Sequence, residues 1–299
     1  MNTNKIIIGT HNGIFHQDDV VAVALLSILH GNNITVKRTR DVNILSTCDY
    51  VVDVGGGELD HHLPGGNGVR ENNIPYASAG LVWKKYSYDI LKAFDCPDKL
   101  IYEVAKKVDK NIIEDVDKID NGRLATSVFD FILLYIPNWN EDFSKIDNHF
   151  NKILTLTVKI LSMAIKKEIA NTASDNLIID LLNNHPHRSH ILEIPNQYID
   201  WKPQIIEHNT FPLTSIDFVV FPYPIGGYAA QSVPPSHDKP FEQRIPFPRE
   251  WAGLTTTLPE VSGIKTATFC HNNLFFVRAE TKEDVYKLCE IAIYKFYNN

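Results

Sequence analysis

Tyr50-Val51-Val52-Asp53-Val54-Gly55-Gly56-Gly57-Glu58-Leu59-Asp60-His61-His62 decides how this chain is read. A β-branched and aromatic run bounded by a glycine triplet reads as a buried strand entering a loop. The loop then delivers an aspartate and two histidines. The same order appears upstream, where Ile6-Ile7-Ile8 precedes Gly9-Thr10-His11-Asn12-Gly13-Ile14-Phe15-His16-Gln17-Asp18-Asp19. In an open α/β sheet, ligands gather at the carboxyl ends of strands. Imidazole and carboxylate together suit divalent cations such as Mn, Zn or Mg. A single histidine at a strand end is usually surface decoration, and one Asp-His-His tripeptide recurs by chance. Two clusters, each following a strand, favour a two-metal hydrolytic site.

Outward from these loops, strands and helices alternate. Apolar spacing through Val20, Val21, Ala24, Leu25 and Ile28 predicts a helix over residues 18–30, and residues 34–40 alternate as a strand. Helices follow over residues 77–94, where Gly80 permits close approach, and over 99–119, which Asn121-Gly122 terminates. Such alternation implies βαβ units and a mostly parallel sheet. Residues 124–170 read as two helices split at Ile136-Pro137-Asn138-Trp139-Asn140. Asn183-Asn184-His185-Pro186-His187 reads as a solvated turn rather than a ligand pair. From Ser215 onward, short strands dominate, with His271-Asn272-Asn273 as a hairpin turn and a final helix over 282–297 capped by Thr281. The expected fold is therefore α/β: a mostly parallel metal-binding domain over 1–145, a helical connector over 146–200, and a smaller substrate-binding α/β domain over 201–299.

Composition narrows the function. The 299 residues are 44% apolar and 22% charged, ordinary for a globular protein. No apolar window is long enough to span a membrane. The N-terminus runs straight into the first strand, leaving no room for a targeting peptide, so the cytoplasm is the expected compartment. The four cysteines are widely spaced without a Cys-x-x-Cys, so they read as reduced, mostly buried thiols. With 29 basic and 36 acidic residues, the net charge is −7. A protein that coats duplex nucleic acid carries a basic surface. Any nucleic-acid contact here should be short, local and assisted by metal.

The ligand spacing can be read chemically. His11 sits at a strand end, Asp18 opens the following helix, and His16 lies on the loop between. Asp53 ends the next strand and can place its carboxylate between two ions. A pair about 3.5–4 Å apart would activate a water and stabilise a pentacoordinate phosphorus. Asp60-His61-His62 adds a ligand and a proton donor. A further acid is needed, and Asp117 and Asp120 lie three apart on one helical face. A helix C-terminus disfavours acids, so at least one has a partner; Asp120 is the first choice.

Together, His-x4-His-x-Asp, Val-Asp-Val-Gly-Gly, Asp-His-His and Asp-Asn-Gly resemble the DHH phosphoesterase superfamily. More narrowly, they resemble its Myg-type branch, described as metal-dependent hydrolases and 3′–5′ RNA exonucleases. Arg38-Thr39-Arg40-Asp41, Ser78-Ala79-Gly80-Leu81-Val82-Trp83, Gln243-Arg244-Ile245-Pro246-Phe247-Pro248 with Trp251, and Val261-Ser262-Gly263-Ile264 with His271 extend the likeness over nearly the whole chain. The resemblance implies metal ligation by His11, His16, Asp18, Asp53, His61 and one of Asp117 and Asp120. It also implies that His62 meets the scissile phosphate while Asp60 orients a histidine. His16 stands where most of the superfamily has aspartate, and Leu63 stands where a glutamine is familiar. Two divalent ions, Mn or alternatively Mg, are the expected cofactors.

Arg40, Arg244, His271 and Arg278 are the candidates for gripping substrate phosphate, the latter three from across a cleft between domains. Phe247 and Trp251 could stack a base, although packing in a core is the commoner fate of such aromatics. The expected activity is a 3′–5′ exonuclease on RNA or short oligonucleotides, in a chain that could form homo-oligomers. A small-substrate phosphatase or pyrophosphatase, or a non-catalytic binding protein, is the alternative.

Overall fold

A computed structural model describes residues 5–184, 190–195, 199–208 and 216–298. The chain divides into two compact units, residues 1–172 and 173–299.

The first unit is built on a three-stranded parallel sheet in the order β2-β1-β3, with β1 at Ile6–Thr10, β2 at Ile34–Arg38 and β3 at Tyr50–Val51. Between the first two strands, α1 (Gln17–Leu29) is buried along nearly its whole length. That burial explains its sequence: beyond its first turn it is apolar on nearly every side rather than amphipathic. After a short α2 (Val42–Leu45), β3 ends earlier than its apolar run suggests. Asp53 takes a left-handed φ of 57° soon afterwards, which bends the chain out of the sheet. A non-glycine residue rarely holds that conformation unless its surroundings impose it.

Helix α3 (Ser78–Lys92) packs chiefly against α1. The expected single helix over 99–119 is instead α4 (Asp98–Val108), one π-helical turn at Asp109–Ile113 and α5 (Glu114–Asp120). Hydrophobic spacing cannot reveal such a turn, because Ile112, Ile113 and Val116 are buried either way. Of the two helices expected over 124–170, the first is a 3₁₀ segment at Asp130–Tyr135. A second 3₁₀ turn at Phe143–Lys145 precedes one long helix, α6 (Ile146–Asn183). Leu133, Leu134 and Trp139 of the 3₁₀ region are exposed.

The second unit has a five-stranded mixed sheet in the order β4-β5-β6-β8-β7. Its strands are β4 (Ile191–Glu193), β5 (Phe218–Pro222), β6 (Tyr228–Ser232), β7 (Ala267–Cys270) and β8 (Phe276–Ala279). β4 pairs parallel to β5, and the remaining pairs are antiparallel. Phe218 and Val220 enter one core while Val219 and Phe221 enter another, so this apolar run is buried on both faces. Helix α7 (Lys202–His208) lies in sequence between β4 and β5. A short α8 (Leu258–Ser262) follows, and α9 (Lys282–Asn298) closes the chain. Thr281 accepts from the Asp284 N–H at 3.3 Å, as its capping role requires. The unit boundary falls inside the stretch 146–200, and β4 from that stretch joins the second sheet. The histidine pair at 185 and 187 lies outside the described residues. Cys96, Cys270 and Cys289 are buried free thiols and Cys48 is partly exposed. Among the described residues, no helix is long and apolar enough to cross a membrane.

Candidate metal centre

Loops at the carboxyl ends of β1 and β3 bring their donors together in the first unit. Three overlapping groups of ligand atoms result, each within 4.8 Å: His11, His16 and Asp53; Asp53, His61 and His62; and Asp18, His61 and Asp120. Asp53 and His61 each belong to two of them. His11 Nε2 lies 3.3 Å from Asp53 Oδ2, and His61 Nε2 lies 3.0 Å from Asp120 Oδ2. His62 Nδ1 is 3.3 Å from Asp53 Oδ1 and 2.9 Å from Asp60 Oδ1.

The loop carrying His11 and His16 is held from β2 and its end. Arg38 Nη2 donates to the Gly13 carbonyl at 2.7 Å, and Arg40 Nη1 donates to the Asn12 carbonyl at 2.6 Å. Arg40, expected at substrate phosphate, is thus engaged with the ligand loop. Asp19, which spacing alone does not single out, is completely buried. Its Oδ1 accepts the His16 N–H at 2.8 Å, while Oδ2 stands 3.3 Å from His11 Nε2 and has no hydrogen bond among the described residues. Its place one residue after Asp18, as the third residue of a helix whose N-cap is His16, is the signal that could have found it.

The Asp18 side chain, from α1, caps the N-terminus of α3. The Ser78 N–H donates to its Oδ2 at 2.9 Å and the Ala79 N–H to its Oδ1 at 2.7 Å. Ser78 Oγ also donates to Asp53 Oδ1 at 3.3 Å. Asp60 accepts the Gly56 N–H at 2.7 Å and the His62 N–H at 3.0 Å, so it shapes the second ligand loop.

Asp117 and Asp120 separate cleanly. Asp117 is fully buried, 2.7 Å from Arg70 Nη1, and accepts the Gly80 N–H at 3.0 Å. Arg70 in turn makes a bidentate pair with Asp109 at 2.7 and 2.8 Å. Asp117 enters none of the donor groups; Asp120 does.

The electrostatics suit cations. Burial, followed by the negative charges of Asp53, Asp120 and Asp117, pushes the Asp18 carboxyl well above its ordinary range. Burial likewise pushes Asp19 up to about 7, against the opposing effect of His11. Burial disfavours the His11 and His61 imidazolium forms, yet Asp53 and Asp120 respectively hold both above 6.5. Burial pulls Asp60 upward too, but the two backbone N–H groups hold it below the usual carboxylate range. So many acids in one place repel each other, and bound cations relieve that repulsion. The orphaned Asp19 oxygen and the mixed imidazole–carboxylate set both fit divalent metal.

The second-unit candidates have other partners. Arg244, half buried, donates from Nη1 to the Ile216 carbonyl at 2.9 Å, near Asp217. Arg278 lies over the Tyr223 ring at 4.1 Å and donates to the Gly226 carbonyl at 3.2 Å. His271 Nδ1 accepts the Asn273 N–H at 3.0 Å within the β7–β8 hairpin. Phe247 and Trp251 are buried, their rings 6.3 Å apart, so they pack the core instead of presenting a face to a base.

The family described as "Uncharacterised protein family (UPF0160)", MYG1_exonuc, matches residues 7–293. A MYG1 protein of Chlamydia pneumoniae is 32% identical over 286 residues, covering 90% of each chain. The MYG1 exonuclease of Rattus norvegicus is 27% identical over 321 residues, covering 96% of this chain and 84% of the relative. That of Homo sapiens is 26% identical over 322 residues, covering 96% and 85%. RecJ from Thermus thermophilus, solved in complex with Mn2+, overlaps with a TM-score of 0.28 and 12% identity, over 96% of this chain and 52% of RecJ. That overlap is too slight to carry an inference. The family match, in contrast, runs through both units and takes in every candidate ligand: the chain belongs to the MYG1 exonuclease family.

Proposed function

We propose that this chain is a divalent-metal-dependent phosphodiesterase that removes nucleotides 3′ to 5′ from RNA or short oligonucleotides, with two Mn ions, or Mg in their place, as cofactors. The observation that supports this most is the sharing of Asp53 and His61 among three donor groups. Asp53 and His61 link the group at His11 and His16 to the group at Asp18 and Asp120, as expected where two cations would be held side by side. Family membership supports a nuclease, because the mammalian relatives are named exonucleases.

His11, His16, Asp18, Asp53, His61 and Asp120 would hold the ions. When bound, these supply Lewis acidity, which lowers the pKa of water and offsets charge at phosphorus. The remaining work belongs to the chain. Asp60 fixes the ring of His62 through Nδ1, and that ring is largely exposed. Its Nε2 would meet a phosphate oxygen or protonate the leaving oxygen. The first N–H groups of α3 are taken by Asp18, so phosphate is not bound at that helix end. A net charge of −7 fits a substrate gripped over a short length at the metals.

The test follows the products. Purified protein is given single-stranded RNA labelled at either end, with Mn2+ or with EDTA. Mononucleotides released stepwise from the 3′ end, in Mn2+ only, support the proposal. Release of inorganic phosphate from small esters, with intact RNA, would move the reading to a phosphatase. Turnover unaffected by EDTA would remove the metals from it.

A further inference from the structure

Beside the donor groups is a cavity of about 270 Å³ lined by His16, Gln17, Ile119, Asp120 and Leu133. Of the candidate ligands, only His16 and Asp120 border it, so it lies next to the metal centre and not within it. These two belong to different donor groups, which places the cavity against both. We infer that it receives the terminal nucleoside, base and sugar, of the strand whose phosphate is attacked. The inference rests on the phosphodiesterase reading above and adds to it the part of the substrate that is recognised.

Three observations lead to a nucleoside. First, the walls Ile119 and Leu133 are apolar, and Leu133 is half exposed with no place in the core of the unit. An apolar wall pair suits a flat, weakly hydrated base. Second, Gln17 is 3% exposed, and its Nε2 is fixed by Asp130 Oδ1 at 2.8 Å. Its Oε1 is buried without a hydrogen-bond partner among the described residues. A buried acceptor normally has a donor, and a slight turn of the amide about its Asp130 hydrogen bond would bring Oε1 to a hydroxyl or exocyclic amino group of a nucleoside. Third, Asp120 is the cavity's carboxylate, which disfavours a second phosphate there but not an uncharged base and sugar. The volume is just under the roughly 300–1,000 Å³ of sites that enclose drug-sized ligands, so it suits one nucleoside and not a length of strand.

The Gln17–Asp130 hydrogen bond gives the cavity a defined wall. It ties the start of α1 to the 3₁₀ segment that carries Leu133. The cavity wall at Leu133 is therefore joined to the helix that carries Asp18.

The experiment compares single-stranded oligonucleotides that differ only in whether the terminal residue being removed carries a base or is abasic, in Mn2+. The parent should remove the base-bearing residue with kcat/KM about tenfold or more above the abasic one, as loss of a hydrophobic pocket contact implies. Leu133→Asp should bring that ratio close to one, and Leu133→Ala should fall between. Calorimetric Mn2+ affinity should stay at the parental value in both, which separates loss of the pocket from damage to the centre. A parental ratio near one, or a ratio unchanged in Leu133→Asp, overturns the subsite while leaving the nuclease in place. Hydrolysis of small phosphate esters with no cleavage of either oligonucleotide would instead overturn the nuclease reading itself.

Discussion

Gly80 and Asp117 occupy a space that admits no further atom: a Cβ built on Gly80 would lie 1.9 Å from Asp117 Oδ2. The glycine is helical with an ordinary φ, so the requirement is close approach and not backbone conformation. Its N–H donates to the same carboxylate. Gly80→Ala should therefore displace Asp117 and its Arg70 partner, and cost about 1–3 kcal/mol, as overpacking generally does. Urea denaturation will measure it, and an unchanged midpoint would mean that the helix shifts freely.

The two acids of α5 should respond differently to removal. Asp120→Ala should weaken Mn2+ binding with little effect on melting temperature. Asp117→Ala should lower the melting temperature by leaving Arg70 short of a partner, and bound Mn2+ should largely persist. Asp53→Ala should lose more metal than either, because its carboxylate serves two donor groups. Metal analysis after desalting, paired with thermal melts, decides. Equal metal loss in the two α5 variants would merge the roles separated here.

Asp19 should act through the histidines. Asp19→Ala removes the acceptor of the His16 N–H and the carboxylate beside His11 Nε2. Loss of such support typically costs a metal site about 10–100-fold in affinity. Titration with Mn2+ followed by calorimetry should show a drop of about that size, and Asp19→Asn should recover part of it. Parental affinity in Asp19→Ala would count against the role.

Glu114 should set part of the acid limit of the fold. Burial alone would raise its carboxyl, but Lys110, Lys118 and Asn72 at 2.8–2.9 Å hold it at about 2. The folded value lies below the ordinary 4.5. The stabilisation is therefore complete above about pH 4.5 and lost as pH falls towards 2. Glu114→Gln should cost about 1–3 kcal/mol near neutral pH, with the gap to the parent narrowing as the solution is acidified between those two values. A gap independent of pH would show that the charge contributes nothing.

Much of the first unit is legible in the sequence because its signals are local. Ile6-Ile7-Ile8 and Tyr50-Val51 are strands with ligand loops at their ends, and those loops meet because β3 pairs directly with β1. Arg70 is not legible there, and Asp19 shows only as an acid at the third position of α1. Their importance comes from contacts with His11, His16 and Asp117 that only the folded chain supplies. The contacts of Arg40 and Arg278 with a loop carbonyl and a tyrosine ring likewise appear only in the folded chain, since a guanidinium in sequence suits phosphate equally well. The 3₁₀ segment around Leu133 reads as an α-helix for a related reason: its apolar residues have helical spacing but are not all buried.

The π turn at Asp109–Ile113 works as a phase setting. Each residue in an α-helix turns the chain by about 100°, so one extra residue in that turn re-aims everything downstream. It lets a single short helix send Asp117 into the protein and Asp120 to His61. Deleting Lys110 or Asn111 would leave every donor in the chain and every apolar residue of the core present. The acids of α5 would nonetheless point elsewhere. The register of this segment, invisible in any inventory of its side chains, is thus as much a part of the centre as the ligands it aims.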